Sequence, residues 1–276
     1  MFAVILSVSV LTGSTAAAWD QAGEQGQGIQ VPPGQWVVDY GTKRCSLARR
    51  VAGAGSPVVV LSSLYGNDQP SLYVLEADDP ALDRIPGRVS IRLDGRVVSD
   101  EARVTRQRAP SGRVLRFSEA GATLMSRLAG ASALSIEAEG RSFLTLPLPG
   151  SAAAVEALEV CNDDLLQSWG IDVAARRALQ RPPRRSSDFR SATSSDYPVS
   201  AVRANEQGEV VIRVDVDERG VPTACQVLAS SGSAALDERS CQVTVRRSRF
   251  EPALDAAGQP VAAPWIYSIR WMLPEE

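Results

Sequence analysis

Between Glu209 and Asp217 the chain alternates, with Val210, Ile212, Val214 and Val216 on one side of an extended backbone and Arg213, Asp215 and Asp217 on the other. Successive side chains of a strand point to opposite faces, so this period of two buries one face and wets the other only as a β-strand. Glu218-Arg219-Gly220 follows, with glycine where a tight turn needs positive φ. Thr223 to Ala229 returns as the partner strand, with Cys225, Val227 and Ala229 on one face. Asp215-x-Asp217-x-Arg219-Gly220 has the outline of a calcium loop, but Arg219 stands at a ligand position and Gln226 at the twelfth, so a hairpin is the better reading.

What comes after the hairpin fits a helix and a last strand. Ser233 is placed to cap a helix from Ala234 to about Arg249, whose apolar positions Leu236, Val243, Cys241 and Val245 form a broad stripe. A helix joined to the hairpin by so few residues folds back over its apolar face, which carries Cys241 toward Cys225. Phe250-Glu251-Pro252-Ala253 ends the helix and residues 255–258 turn. Trp265 to Leu273 then alternates again, Trp265, Tyr267, Ile269 and Trp271 against Ile266, Ser268 and Arg270.

The N-terminal half reads as a second, β-rich domain. Short β-like runs occur at Trp36-Val37-Val38, Cys45 to Val51, Pro57 to Leu61 and Leu72 to Leu75. Val89, Ile91 and Leu93 alternate into Asp94-Gly95 and out to Val97-Val98, a hairpin signature. Ser118-Glu119 precedes helix-type spacing from Ala122 to Ala129. Leu134 to Ala138 and Ser142 to Leu148 form a hairpin through Glu139-Gly140, and Ser151 to Trp169 a helix stopped at Gly170 that carries Cys161. Six arginines, Pro182-Pro183 and a Ser/Thr-rich tail mark a linker between the halves.

The expected organisation is therefore α+β: a signal peptide at 1–18, an extended leader at 19–34, a β-rich domain with two helices at 35–174, a linker at 175–195 and a small β-β-α-β domain at 196–276. Phe2 to Leu11 is apolar and Ala16-Ala17-Ala18 resembles a cleavage site, although no Lys or Arg precedes the apolar run. Retained, the same stretch would be a membrane anchor, but it falls short of the ~20 residues a span needs.

Composition narrows the chemistry. The 276 residues contain no histidine, and Lys43 is the single lysine, so Ser-His-Asp and Cys-His catalysis and histidine metal ligation are excluded. The carboxylate pairs Asp78-Asp79 and Asp163-Asp164 diverge on either a strand or a helix and lie in no nucleophile or phosphate-loop motif, so no enzyme is expected. A net charge of -3 offers no general attraction for nucleic acid. No cofactor is implied, and four cysteines without a C-x-x-C pair or a histidine do not make a zinc site. Pairing Cys45 with Cys161 and Cys225 with Cys241 keeps each disulfide inside one domain, whereas the other two connectivities tie the domains together. Disulfides and a signal peptide together place the chain in the periplasm.

Two resemblances follow. In order and spacing, Tyr197-Pro198, Gly208-Glu209-Val210, Gly220, Ser230-Ser231-Gly232, Leu236-Asp237, Phe250-Glu251-Pro252-Ala253, Gly258-Gln259-Pro260-Val261 and the last aromatic strand resemble the TonB C-terminal domain. In its order of elements, the N-terminal half is similar to the invasion-associated locus B family. The first resemblance implies a module whose last strand is a sheet edge that captures an extended peptide, in TonB proteins a peptide of an outer-membrane transporter. Carried onto this chain, the recognition edge is Trp265, Ile266, Tyr267, Ser268, Ile269 and Arg270, with Tyr197 and Pro198 marking the start of the domain. The implied function is binding a periplasmic or outer-membrane protein by strand addition, and an exposed edge also allows homodimers. The alternative is a membrane-anchored energy transducer for outer-membrane transport. A flexible linker of about twenty residues, extending at most about 65 Å, is too short to make that reading the first one.

Overall fold

The computed structural model describes residues 9–10, 31–51, 57–63, 71–75, 84–109, 112–118 and 124–273. Residues 19–30 of the leader and nearly all of the expected signal peptide lie outside them, as do Asp78 and Asp79, whereas the leader's end is described and Val31 is buried. Two compact units divide the chain, Met1–Ser63 with Asp68–Leu165 and Leu64–Asn67 with Leu166–Glu276. Both mix sheet and helix, and β structure dominates. No helix among the described residues is long and apolar enough to cross a membrane.

The first unit is built on a curled ten-stranded sheet. In chain order its strands are β1 (Ser9–Val10), β2 (Trp36–Tyr40), β3 (Cys45–Arg50), β4 (Val58–Ser63), β5 (Ser71–Leu75), β6 (Arg88–Leu93), β7 (Arg96–Ala109), β8 (Gly112–Ser118), β9 (Ala133–Ala138) and β10 (Arg141–Pro147). Their spatial order is β1-β2-β3-β4-β5-β8-β7-β6-β9-β10. Leu47, Leu61, Leu72, Ile91, Phe117, Ile136 and their neighbours bury one face. Against it lie Leu124 and Leu128 of α1 (Leu124–Leu128) and Ala154, Leu158 and Cys161 of α2 (Ser151–Ser168). A Cys45–Cys161 disulfide ties β3 to α2 across 116 residues. Closing a loop of that size restricts the unfolded chain by about 4–5 kcal/mol.

Local chemistry accounts for the turns. Asp94 and Gly95 both take positive φ, 48° and 76°, the pairing that a two-residue hairpin requires. The Asp94 carboxylate also accepts from the Ser132 and Ala133 N–H groups at 2.9–3.1 Å, which fastens this turn to the start of β9. Two features depart from the sequence reading. Ser118 ends β8 instead of capping a helix, and α1 begins at Leu124. The long arm of β7 and the whole of β8 carried no clear periodicity, because Glu101, Arg103, Thr105 and Arg106 are exposed and Ala102 alone of that stretch is fully buried.

In the second unit the expected hairpin, helix and last strand all form. A three-stranded antiparallel sheet runs β13 (Pro222–Ala229), β12 (Gly208–Val216), β17 (Ala263–Trp271) in space. Helix α5 (Ala234–Arg247) lies over β12 and β13. The Ser233 side chain caps it by accepting from the Leu236 N–H at 3.4 Å. Cys225 and Cys241 are disulfide-bonded, pinning helix to sheet. Between α5 and β17 the chain makes β14 (Phe250–Glu251), β15 (Ala253–Leu254) and β16 (Pro260–Val261). Gly220 shows why the turn takes no other residue: its φ is 77°, and a Cβ there would stand 1.9 Å from the Phe250 carbonyl oxygen. The Gly220 carbonyl in turn accepts from the Phe250 N–H at 2.9 Å.

The register of β13 against β12 shifts at two places, one near its start, where Asp215 pairs with Ala224 and Val216 with Pro222, and one near its end. Val211 pairs with Ala229 and Ile212 with Val227, so Leu228 is an extra residue, a β-bulge. Cys225 and Val227 face α5, but Leu228 and Ala229 both turn to the opposite face, beside Val211 and Ile266. The expectation that Ala229 shares a face with Cys225 is corrected by this insertion.

Residues 175–195 do not behave as a spacer. Helix α3 (Val173–Arg177) is capped by Asp172, whose carboxylate accepts from the Ala175 N–H at 2.9 Å. Arg181 exchanges backbone hydrogen bonds with Leu254, and β11 (Arg184–Arg185) pairs antiparallel with β14. Ser186 donates through both its N–H and its hydroxyl to the Arg249 carbonyl, and Pro183 is buried. Backbone donors and acceptors left by the short strand β14 are satisfied here, which turns an Arg/Pro-rich stretch into an ordered strap. The end of α2 joins this unit too: Leu166, Ile171, Val211 and Ile266 form a small core on the sheet face opposite α5.

Candidate functional site

Strand β17 is the candidate site, and the register fixes its surroundings. It pairs with β12 along its whole length, Ala263 opposite Val216 through Trp271 opposite Gly208. Among the described residues no strand pairs with its other side, so β17 is an edge of the sheet. An edge strand presents every second N–H and C=O outward, the template that strand addition uses.

Side chains of β17 fall on two faces with different neighbours. Trp265, Ile269 and Trp271 are buried beneath α5 and the strap, in one core with Val210, Ile212, Val214, Leu236 and Phe250. Tyr267 shares that face but is half-buried. On the other face Ile266 is fully buried against Leu166 and Ile171, Ser268 is half-buried and Arg270 is exposed. The Arg270 guanidinium stands 3.7 Å from the carboxylate of Glu209, a residue buried on β12. The rings therefore serve packing, and what β17 offers outward is mainly backbone, flanked by Tyr267, Ser268 and Arg270.

An aromatic cluster holds the strand from the strap side. Phe189 meets Phe250, Trp265 and Tyr267 edge to face at 5.5–5.8 Å, and Trp265 stacks on Tyr267 at 4.8 Å. The Arg185 guanidinium lies over Phe189 at 4.9 Å and Tyr267 at 4.7 Å. Neither Arg185 nor Phe189 was singled out from the sequence. Phe189 is the lone aromatic in a run of Arg, Pro and Ser, and that contrast is the signal that marks it as an anchor. At the strand's beginning, Arg176 of α3 donates to the Pro264 carbonyl at 3.5 Å.

Tyr197 and Pro198 sit at the other end. Tyr197 meets Trp271 edge to face at 5.2 Å and donates its hydroxyl to the Glu206 carbonyl at 2.6 Å. Burial, helped by the charge of Glu206, pushes its phenol pKa up, so it stays a donor. Pro198 occupies the cap position of α4 (Val199–Arg203), where its missing N–H costs nothing. Before them a 3-10 turn, Ser194–Asp196, puts the Asp196 carboxylate in the interior. Burial alone would raise its pKa. The Thr193 N–H and hydroxyl, with the guanidinium groups of Arg247 and Arg239, outweigh burial and hold the carboxyl below the usual range. Both guanidinium groups lie 2.8 Å away.

The residues expected at a site are thus distributed as follows. Trp265 to Arg270 lie on the edge strand, Tyr197 and Pro198 brace its far end, and the two disulfides bind one in each unit. Asp215 and Asp217 serve the hairpin: Asp215 pairs with Arg213 at 2.7 Å, and Asp217 accepts from the Arg219 and Val221 N–H groups. Comparison with curated proteins returns no match. Comparison with protein families does, over the segment that forms this sheet and less than a third of the chain: residues 193–273 match the family described as Gram-negative bacterial TonB protein C-terminal, so the chain carries a TonB-type C-terminal domain.

Proposed function

We propose that this chain is a non-enzymatic protein-binding module of the periplasm that takes up an extended segment of an envelope partner as a fourth strand on β17. The observation that carries the reading is the edge itself. Nine residues, Ala263–Trp271, are held on one side by a complete antiparallel ladder and paired with no strand on the other among those described. Strand addition draws its affinity from main-chain hydrogen bonds and its selectivity from alternate side chains, and Tyr267, Ser268 and Arg270 are the side chains placed to choose. Both disulfides suit an oxidising compartment. The matched family supports a partner in the cell envelope, with an extended peptide of an outer-membrane protein as the leading candidate.

The test uses the full chain as bait for envelope proteins. Of two adjacent amides on β17, one points at β12 and the other outward, so proline at Tyr267 or at Ser268 removes an outward donor in one case and a ladder bond in the other. Whichever variant keeps a native near-UV spectrum is the one that has lost an outward donor, and it is expected to lose at least ~10-fold in capture, since two or more neighbouring bonds go with it. Ser268→Ala, which keeps the amide, is expected to retain capture. Equal capture by the folded proline variant contradicts strand addition on this edge.

A further inference from the structure

We infer that the partner segment is acidic, because the strap and the end of α5 together build a basic surface that runs onto the edge strand. This rests on the strand-addition reading above and names the chemistry of its partner. Arg184, Arg185 and Arg190 come from the strap, and Arg246, Arg247 and Arg249 from the end of α5 and the residues after it. All six are exposed. Sequence separates the two groups by more than fifty residues, and the backbone brings them together: Arg185 pairs with Phe250, Ser186 binds the Arg249 carbonyl, and the Ser248 hydroxyl donates to the Arg190 carbonyl at 3.1 Å.

Of the carboxylates nearby, Asp196 is shared by Arg239 and Arg247 and so answers one of the six, and Glu251 is held by Arg181, which is not among them. Asp188 is the one acidic residue between Arg181 and Arg190. Arg249 spends a donor on the neighbouring Ser248 carbonyl, which leaves its charge in place. On a chain of net charge -3, such a concentration of guanidinium groups is a local feature with a local use.

Continuity with β17 decides what the surface recognises. Arg185 lies over Tyr267, the half-buried ring at the middle of the edge strand, and Arg270 stands exposed on the same strand's other face. A strand added to β17 sends alternate side chains to each face, so carboxylates on it meet Arg185 and the strap on one side and Arg270 on the other. Guanidinium groups bind carboxylates in bidentate, charge-assisted pairs. A lipid surface fits less well, because no large apolar side chain is exposed on the strap or on α5 to enter a bilayer.

The probes are synthetic peptides of about the length of β17, nine residues, alternating Val with Glu, Gln or Lys, and measured against the full chain by fluorescence anisotropy. The Glu peptide is expected to bind at least ~10-fold more tightly than the Gln peptide at low salt, with the Lys peptide weakest and the gap narrowing as salt is added. In the variant Arg184→Gln/Arg185→Gln/Arg270→Gln, which removes the guanidinium groups on and beside the edge strand, the preference for Glu over Gln is expected to collapse. Equal binding of the Glu and Gln peptides overturns the inference, as does a preference that survives in the triple variant or no binding of the Glu peptide at roughly millimolar concentration. Phosphatidylglycerol vesicles bound through these arginines, without any peptide charge preference, would assign the surface to lipid instead. The folded proline variant separates the two claims. If it loses all peptides alike while Glu and Gln bind equally to the parent, the edge stands and the acidic partner falls. If the Glu preference vanishes in the triple variant but the proline change has no effect, the basic surface stands and strand addition falls.

Discussion

Asp196 shows how one residue fixes the geometry on which the candidate site depends. Its carboxylate joins the 3-10 turn before Tyr197 to two arginines of α5 and its end, and Tyr197 in turn braces Trp271 on the edge strand. Because the folded-state pKa is held below the unfolded value, the stability it contributes is fully present above the ordinary carboxylate pKa of about 3.9 and is lost as pH falls through the lowered folded value. Asp196→Asn is expected to destabilise the second unit by about 1–3 kcal/mol at neutral pH, since charge-assisted bonds to two partly exposed arginines are lost. The difference should shrink below about pH 4. Urea unfolding followed by the indole signals of Trp265 and Trp271 at pH 7 and pH 3 measures it, and a pH-independent difference would show that the charge of Asp196 is not what stabilises the turn. None of this was legible in the sequence, where Asp196 marked only the start of the C-terminal domain: its arginine partners lie more than forty residues away.

At the scale of elements, the strands and helix of the C-terminal sheet were legible because each obeys a local rule. Val210 to Val216 keep a period of two, Ser233 caps α5, and Gly220 is required by its φ and by the closeness of Phe250. The strap was not legible, because its order comes from backbone pairing with β14 and from a single ring, Phe189, rather than from any periodicity. Polar, proline-rich composition suggests a spacer only when nothing nearby offers hydrogen-bond partners. Phe189→Ala is therefore expected to cost roughly 2 kcal/mol of stability in the second unit, between the values for a fully buried ring and for a pair of aromatic contacts. It should also speed amide exchange at Arg181 and Ser186, whose N–H groups bond to Leu254 and Arg249. A solvated spacer would show neither effect. The bulge at Leu228 was likewise hidden, since an inserted residue leaves the apolar content of a strand unchanged while moving its side chains to the other face.

For the molecule as a whole, the α+β class and the TonB-type module were readable from short signatures that agree with one another, while the curled sheet of the first unit was readable only in its hairpins. Strands β7 and β8 are set by their neighbours in the sheet more than by their own pattern, so their sequence carries little trace of them. Each unit has its own core and its own disulfide, and the C-terminal unit gathers the strap, the end of α2 and the matched domain around one three-stranded sheet. In the proposed function the outer side of β17 is where a partner binds. The most direct test is residue-resolved amide exchange across Ala263–Trp271 in the free chain and in complex with the protein it captures. Alternate amides, those pointing away from β12, are expected to exchange quickly in the free chain and to become protected in the complex. Protection that appears elsewhere while these amides exchange as before would contradict the claim.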